Sequence, residues 1–213
     1  MVDSPIPAEG SVFLLDDEPG MLKALTRLLK AEGYTVCAFT SAKAFLEVYQ
    51  PQALGCLVLD VAMPEIDGLE LQRRLTRSGA LLPIVFLTGH GDIPMSVQAI
   101  KAGAEDFLTK PVNDADLLRA VRAALQRAAS QCEQIGEAAL LHRRHSTLTA
   151  REREVMAHIV AGELNKVAAA RLGVGEHTIK VHRARVMEKM GVESLADLVR
   201  AAERLGLETR KRE

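Results

Sequence analysis

No run in this chain of 213 residues approaches the roughly 18 consecutive apolar residues that a membrane-spanning helix needs. No membrane partner is therefore expected. The first ten residues, MVDSPIPAEG, lack the basic and apolar blocks of a secretory leader, so residues 1–10 read as a loose tail. Cysteine is scarce. Cys37, Cys56 and Cys132 are odd in number and too widely spaced for a paired zinc pattern. Cys37 and Cys56 fall within strand-like runs and are expected to be buried thiols, which suits a reducing, cytoplasmic setting. Neither GxxxxGKS/T nor GxGxxG follows a strand, so a phosphate-binding loop and a dinucleotide fold are both unsupported. Any phosphate chemistry must come from side chains.

Those side chains stand at the ends of short apolar runs. Asp16 and Asp17 follow SVFLL, Asp60 ends CLVL, Thr88 ends PIVFL, and Lys110 follows DFLT. Such runs read as strands buried on both faces. Strands are expected at 11–16, 34–39, 56–60, 83–88 and 104–109. Helices are expected between them at 18–32, 41–50, 67–78 and 93–102, with a last one from 113. Leu22, Leu25, Leu28 and Leu29 have helical spacing, as do Leu69, Leu71 and Leu75. Alternation of this kind implies an α/β doubly wound domain on a five-stranded parallel sheet, over residues 11–125.

In that fold the carboxyl ends of the strands share one edge, where ligands bind. Three carboxylates, a hydroxyl and an ammonium would converge there. Carboxylates so close repel unless a cation intervenes, and Mg²⁺ suits oxygen ligands together with a phosphoryl group. Asp60 is then the candidate nucleophile, Lys110 a neutralising cation and Thr88 a hydrogen-bond donor. The Lys110–Pro111 bond can be cis, in a turn that aims the ammonium inward. Each residue also has a plainer reading. Asp16 and Asp17 can cap the first helix, Thr88 can end a strand, Phe107 can be core, and His90 can be a solvated loop residue.

The blocks DDE at 16–18, LDVAMPEIDG at 59–68, FLTGHGDIPM at 86–95 and AGAEDFLTKP at 102–111 resemble the receiver domain of two-component response regulators, a flavodoxin-like fold. The resemblance implies that a partner histidine kinase phosphorylates Asp60. It implies that Asp17, Asp60 and the Ala62 carbonyl hold Mg²⁺, with Asp16 nearby through water. It also implies that Thr88 and Phe107 form a switch pair, Phe107 lacking the hydroxyl that a tyrosine would bring.

Charge divides the chain. Residues 1–125 hold 16 Asp/Glu against 11 Lys/Arg, a balance of −5, whereas residues 147–213 hold 10 against 13, a balance of +3. Two domains with different partners are implied. Between them Leu117, Leu118, Val121, Leu125, Ala128, Cys132, Ile135 and Ala139 keep a three-or-four spacing. That spacing predicts a helical linker over 126–145, extended to 146 by the next helix start, with Gly136 as its weakest point. It serves equally as a spacer, a signal path or a pairing surface.

Residues 147–213 read as an all-α four-helix domain. Thr149-x-x-Glu152 is a capping box ahead of Val155, Ile159 and Val160. Asn165 can cap a second helix stopped by Gly173, and a third runs from about Glu176 to Met190 before Gly191. Ser194-x-x-Asp197 opens a fourth, with Leu195, Leu198, Val199, Ala202 and Leu205 as its stripe. The second and third helices make a helix-turn-helix candidate. At about 100° per residue, Ile179, Val186 and Met190 share the buried face of the third. His177, Val181, Ala184 and Glu188 lie opposite, flanked by Thr178, Lys180 and Arg185. That outward face suits a DNA major groove, with Lys180 and Arg185 for guanine or phosphate and Val181 for a thymine methyl.

LTAREREV, GELNKVAAARLGV and HTIKVHRARVMEKMGVESLADLVR resemble the DNA-binding domain of the LuxR/NarL family, and the whole chain resembles FixJ-type regulators. The resemblance implies base contacts at Lys180 and Val181, phosphate contacts at Lys166 and Arg183, and a dimerisation surface on the fourth helix at Leu195, Leu198, Val199 and Ala202. Promoter DNA, RNA polymerase and a second copy of the chain become the expected partners. Two positions depart from the family pattern: Gly175 replaces the usual Ser cap, and Ala184 replaces a base-reading lysine of some members. A rival reading, a phosphatase of the haloacid dehalogenase type, needs a second carboxylate two residues after the nucleophile, where this chain has Ala62. A docking module would leave the basic helix unexplained. The expectation is therefore a regulator and not an enzyme.

Overall fold

A computed structural model describes residues 10–207, apart from 52, 90–96 and 98. His90 and half of the expected helix 93–102 lie outside the described residues; 97 and 99–101 are helical. The chain divides into two compact units, Met1–Glu133 and Gln134–Glu213.

In the first unit the chain runs β1 (Ser11–Leu15), α1 (Pro19–Ala31), β2 (Thr35–Phe39), α2 (Ala42–Val48), β3 (Gly55–Asp60), α3 (Gly68–Arg77), β4 (Ile84–Thr88) and β5 (Asp106–Thr109). The strands form one sheet in the order β2-β1-β3-β4-β5, with every pairing parallel. A helix, α4 (Asp114–Ser146), follows β5.

The period of two along each strand sorts the core onto two faces. Val12, Leu14, Val58, Val85 and Leu87 pack under α1 and the start of α4, meeting Leu22, Leu25, Leu29, Leu117 and Val121. Phe13, Leu15, Leu57, Leu59 and Phe86 point the other way, onto Phe45 of α2 and Leu71 and Leu75 of α3. Each such side chain, fully buried, contributes about 1.5–3 kcal/mol. Leu28 and Leu69 sit at the margins of these faces, half-buried.

Burial on both faces holds for β1, β3 and β4 but not for β2 or β5. Those two are the edges of the sheet, where helices cover less. Cys37, on β2, is accordingly half-buried rather than enclosed, while burial pushes the Cys56 thiol on β3 up to about 12. Asp16 lies just past β1 instead of ending it.

The expected linker is part of one unbroken helix through Gly136, and the division between the units falls inside it. Its apolar stripe is buried at Leu117, Val121 and Ala128 but exposed at Cys132, Ile135 and Ala139.

The second unit continues with α5 (Ala150–Val160), α6 (Asn165–Leu172), α7 (Glu176–Met190) and α8 (Leu195–Arg204). The Thr149–Glu152 capping box is present in both directions. Asn165 does not cap α6. Leu164 holds that position, and Asn165 Oδ1, already inside the helix, is buried with no hydrogen-bond partner. Left-handed glycines end α6 at Gly173 (φ 67°) and α7 at Gly191 (φ 63°), a conformation closed to most side chains. The core joins Val155, Met156 and Ile159 of α5 to Ala168, Ile179, Val186, Met190, Leu198 and Ala202.

Candidate functional site

Strand β1 feeds a crossover to β2 on one side of the sheet, while β3 lies on its other side. The carboxyl ends of β1 and β3 therefore flank a topological switch point. Asp16 and Asp17 follow β1 there, and Asp60 closes β3. One oxygen from each lies within 4.8 Å of the others. Asp16 and Asp60 are buried and Asp17 is exposed. A cleft of about 410 Å³ opens beside them, lined by Asp17, Glu18, Asp60, Ala62, Thr88, Gly89 and Lys110.

Lys110 holds the buried carboxylates together. Its Nζ donates to Asp16 Oδ2 at 2.7 Å and to Asp60 Oδ2 at 2.8 Å, with Glu18 Oε1 at 3.7 Å. Burial pulls the Lys110 pKa down, but the hydrogen bonds and charges of Asp16 and Asp60 outweigh it and hold the ammonium above its ordinary value. The Lys110–Pro111 bond is cis. The remaining carboxylate oxygens meet backbone: Asp60 Oδ1 accepts from Ala62 N at 3.2 Å, and Asp16 Oδ1 from Glu18 N at 2.9 Å. The donor set consists of hard oxygens around a position already tolerant of positive charge, which fits Mg²⁺. Thr88, at the end of β4, is buried and lines the same cleft. Phe107 is half-buried on β5 and packs on Phe86, ring centroids 6.1 Å apart. The structure thus brings Asp17, Asp60, Ala62, Thr88 and Lys110 to one cleft, with Asp16 tied to it through Lys110 and Phe107 on the edge strand beside it.

Sequence reasoning missed what holds the loop after Asp60. Val61 O accepts from both Met63 N and Gly68 N, folding residues 61–68 back on themselves. Glu65 takes a left-handed φ of 64° within it, at a cost of about 1–2 kcal/mol for a residue with a side chain. A Cβ on Gly68 would lie 2.6 Å from Asp60 O and 3.0 Å from Val61 Cα. The lone glycine in PEIDG was the available signal.

In the second unit Ile179, Val186 and Met190 are fully buried, as their angles on α7 require. His177, Thr178, Lys180, Val181, Ala184 and Arg185 are exposed together on the outward face, Arg183 is half-buried, and Lys166 is exposed on α6. Lys180 Nζ lies 3.9 Å from Glu176 Oε1, an exposed pair too weak to hold the ammonium against a nucleic-acid partner. Gly175 caps α7 without a side-chain hydrogen bond, as its lack of a side chain dictates.

The surface expected on α8 needs correcting. Leu198 and Ala202 are fully buried in this unit's own core and cannot face a second copy; Leu195 is exposed and Val199 half-buried. At Leu198 and Ala202 the stripe read from sequence is the inward face of the helix.

Comparison with known proteins agrees with both halves. Residues 12–122 match the family described as response regulator receiver domain, and residues 146–202 match bacterial regulatory proteins, luxR family. The chain is 47% identical over 197 residues to the response regulator protein TmoT of Ectopseudomonas mendocina, covering 92% of this chain and 90% of that protein. Among solved structures it is similar to the response regulator StyR, with a TM-score of 0.84 and 43% identity over 92% of this chain and 99% of that one. It is also similar to full-length FixJ from B. japonicum, with a TM-score of 0.58 and 39% identity over 95% of this chain and all of that one (100%).

Proposed function

This chain belongs to the response regulators that join a receiver domain to a luxR-family DNA-binding domain, and from that premise we propose that phosphorylation of Asp60 by a histidine kinase controls its binding to promoter DNA. The observation that carries the reading is the buried pairing of Asp60 Oδ2 with Lys110 Nζ at 2.8 Å, beside Asp16 and at the mouth of a cleft. A carboxylate so placed is oriented and reachable.

In the proposed reaction an Asp60 carboxylate oxygen attacks the phosphorus of a phosphohistidine. The new P–O bond forms as the P–N bond breaks, and the imidazole leaves with the electron pair. Lys110 keeps its charge and turns from Asp60 toward a phosphoryl oxygen, and the Thr88 hydroxyl donates to another. Asp16, Asp17, Asp60 and the Ala62 carbonyl would hold Mg²⁺, whose contribution is to neutralise charge between carboxylates and phosphoryl group. Ala62 offers no acid or base to activate water two residues after Asp60, which favours a switch over a phosphatase.

The exposed row on α7 is the proposed reading surface. Lys180 and Val181 would meet base edges, with Lys166 and Arg183 on phosphates. Two copies would present two such helices to paired half-sites. Pairing through α8 would use its exposed side, at Leu195 and the margin of Val199, and RNA polymerase would be the downstream partner. The cytoplasm, where the DNA is, follows as the location.

The test is labelling with a small phosphodonor and Mg²⁺, read as intact mass. The wild type gains one phosphoryl group and Asp60→Asn gains none; equal labelling of the variant would place the acceptor elsewhere.

A further inference from the structure

The C-terminus of α7 is held by a residue from outside the helix-turn-helix. Arg144, in the last turn of α4, donates from Nη1 to the Met190 carbonyl at 3.2 Å, one of the last orphan carbonyls of α7. Its guanidinium also lies flat against the next residue. A Cβ on Gly191 would stand 2.6 Å from Arg144 Nη1, 2.7 Å from Cζ and 2.9 Å from Nη2. The φ of 63° calls for a glycine at 191, and its missing Cβ leaves room for the guanidinium in this position.

A second tie runs in the opposite direction. Lys189 Nζ, from the last turn of α7, reaches Thr147 O at 3.3 Å, and Thr147 in turn donates through N and Oγ1 to Arg144 O at 3.1 and 2.7 Å. The neighbouring arginines are engaged elsewhere, Arg204 with Glu137 and Arg200 with Asp197. Arg144 alone among them faces the carbonyl end of α7, where a cation is favoured by the helix dipole.

We propose that Arg144 is a positioning residue for sequence recognition: it fixes the C-terminal end of α7 against the last turn of α4, and so sets the angle at which the outward face of α7 meets base edges. The inference rests on the reading of α7 as the element that enters DNA. Base contacts demand hydrogen bonds within about 2.7–3.2 Å, so a small tilt of α7 loses them. Phosphate contacts by long lysines and arginines follow the backbone and tolerate the tilt. Arg144 therefore acts on specificity more than on general affinity.

The full-length chain is assayed on a selected target sequence and on random DNA of equal length. Arg144→Ala is expected to weaken target binding about tenfold, the worth of a charge-assisted hydrogen bond, with random DNA changed less than about twofold. Arg144→Lys, which keeps a cation near Met190 O, is expected to recover most of the loss. Equal loss on both DNAs, or none on the target, overturns the proposal. A thermal melt of each variant shows that it is folded at the assay temperature. Should Arg144→Ala not be folded there, Arg144→Gln, which removes the charge and keeps most of the side chain, takes its place in the same two-DNA assay. The expected and overturning results are the same, target loss against random DNA unchanged versus equal loss or none. Lys180→Ala separates the two readings. Target binding that weakens with Lys180→Ala but not with Arg144→Ala sinks the positioning role alone, and target binding indifferent to both sinks the reading of α7 as well.

Discussion

Lys110 Nζ and Asp60 Oδ2 meet at 2.8 Å across the width of strand β4, which separates their own strands in the sheet. Neighbouring strands lie about 4.8 Å apart, so β5 stands roughly 10 Å from β3, and a long, flexible side chain is needed to cross. Lysine supplies that reach and a compact charge. The same ammonium touches Asp16 beyond β3, so one cation neutralises two buried carboxylates.

Removing that cation should expose the conflict it resolves. In metal-free buffer Lys110→Ala is expected to lose about 3–5 kcal/mol of stability, because Asp16 and Asp60 then face each other with no cation between them. Saturating Mg²⁺ should restore about 2.7 kcal/mol at a hundred times its Kd. Urea melts with and without Mg²⁺ measure both. Equal Mg²⁺ responses in variant and wild type at one fixed Mg²⁺ concentration would count against a shared cation position. The raised pKa of Lys110 makes its contribution complete below the ordinary value of 10.5, and lost only as pH rises through its higher folded value.

Gly68→Ala tests the loop after Asp60. The new methyl group would meet Asp60 O at 2.6 Å, so either the loop or the end of β3 must move. A stability loss of about 1–3 kcal/mol is expected, with phosphodonor labelling slowed more than that loss explains. Unchanged labelling kinetics would mean that the loop does not position the acceptor.

Acid should act on the second unit through Glu152. Its carboxylate is buried, with Lys189 Nζ at 2.6 Å and Thr149 N at 2.8 Å. The Lys189 hydrogen bond, then that of the Thr149 backbone, lowers its pKa from 4.5 to about 2. A depressed folded pKa gives stability that is present above pH 4.5 and is lost as pH falls through about 2. Glu152→Gln should therefore cost about 2 kcal/mol at pH 7, the worth of a charged hydrogen bond, and less as pH approaches 2. Thermal midpoints of both chains against pH check this; a gap that does not narrow contradicts it.

Much of the site was legible because its residues end the strands that present them. A short apolar run fixes a buried parallel strand, and parallel strands place Asp16, Asp17, Asp60, Thr88 and Lys110 on one edge. Likewise Ile179, Val186 and Met190 fixed which side of α7 turns outward. What stayed hidden depends on tertiary neighbours. The edge position of β2, which leaves Cys37 half-exposed, follows from strand order. A stripe on α8 has the same spacing whether it meets its own core or a second copy, and only packing showed that Leu198 and Ala202 are interior. Leu164, with no polar side chain, holds the N-cap of α6, and Asn165 is already the first helical residue with its Oδ1 buried. The hold of Arg144 on the end of α7 has no local pattern to announce it.

The central claim joins the two units, and one measurement addresses it: the affinity of the full-length chain for its selected DNA, with and without phosphodonor and Mg²⁺, in wild type and Asp60→Asn. Phosphodonor is expected to tighten binding in the wild type and to leave the variant unchanged. An equal gain in Asp60→Asn, or no gain in a wild type whose intact mass shows the phosphoryl group, would contradict the claim.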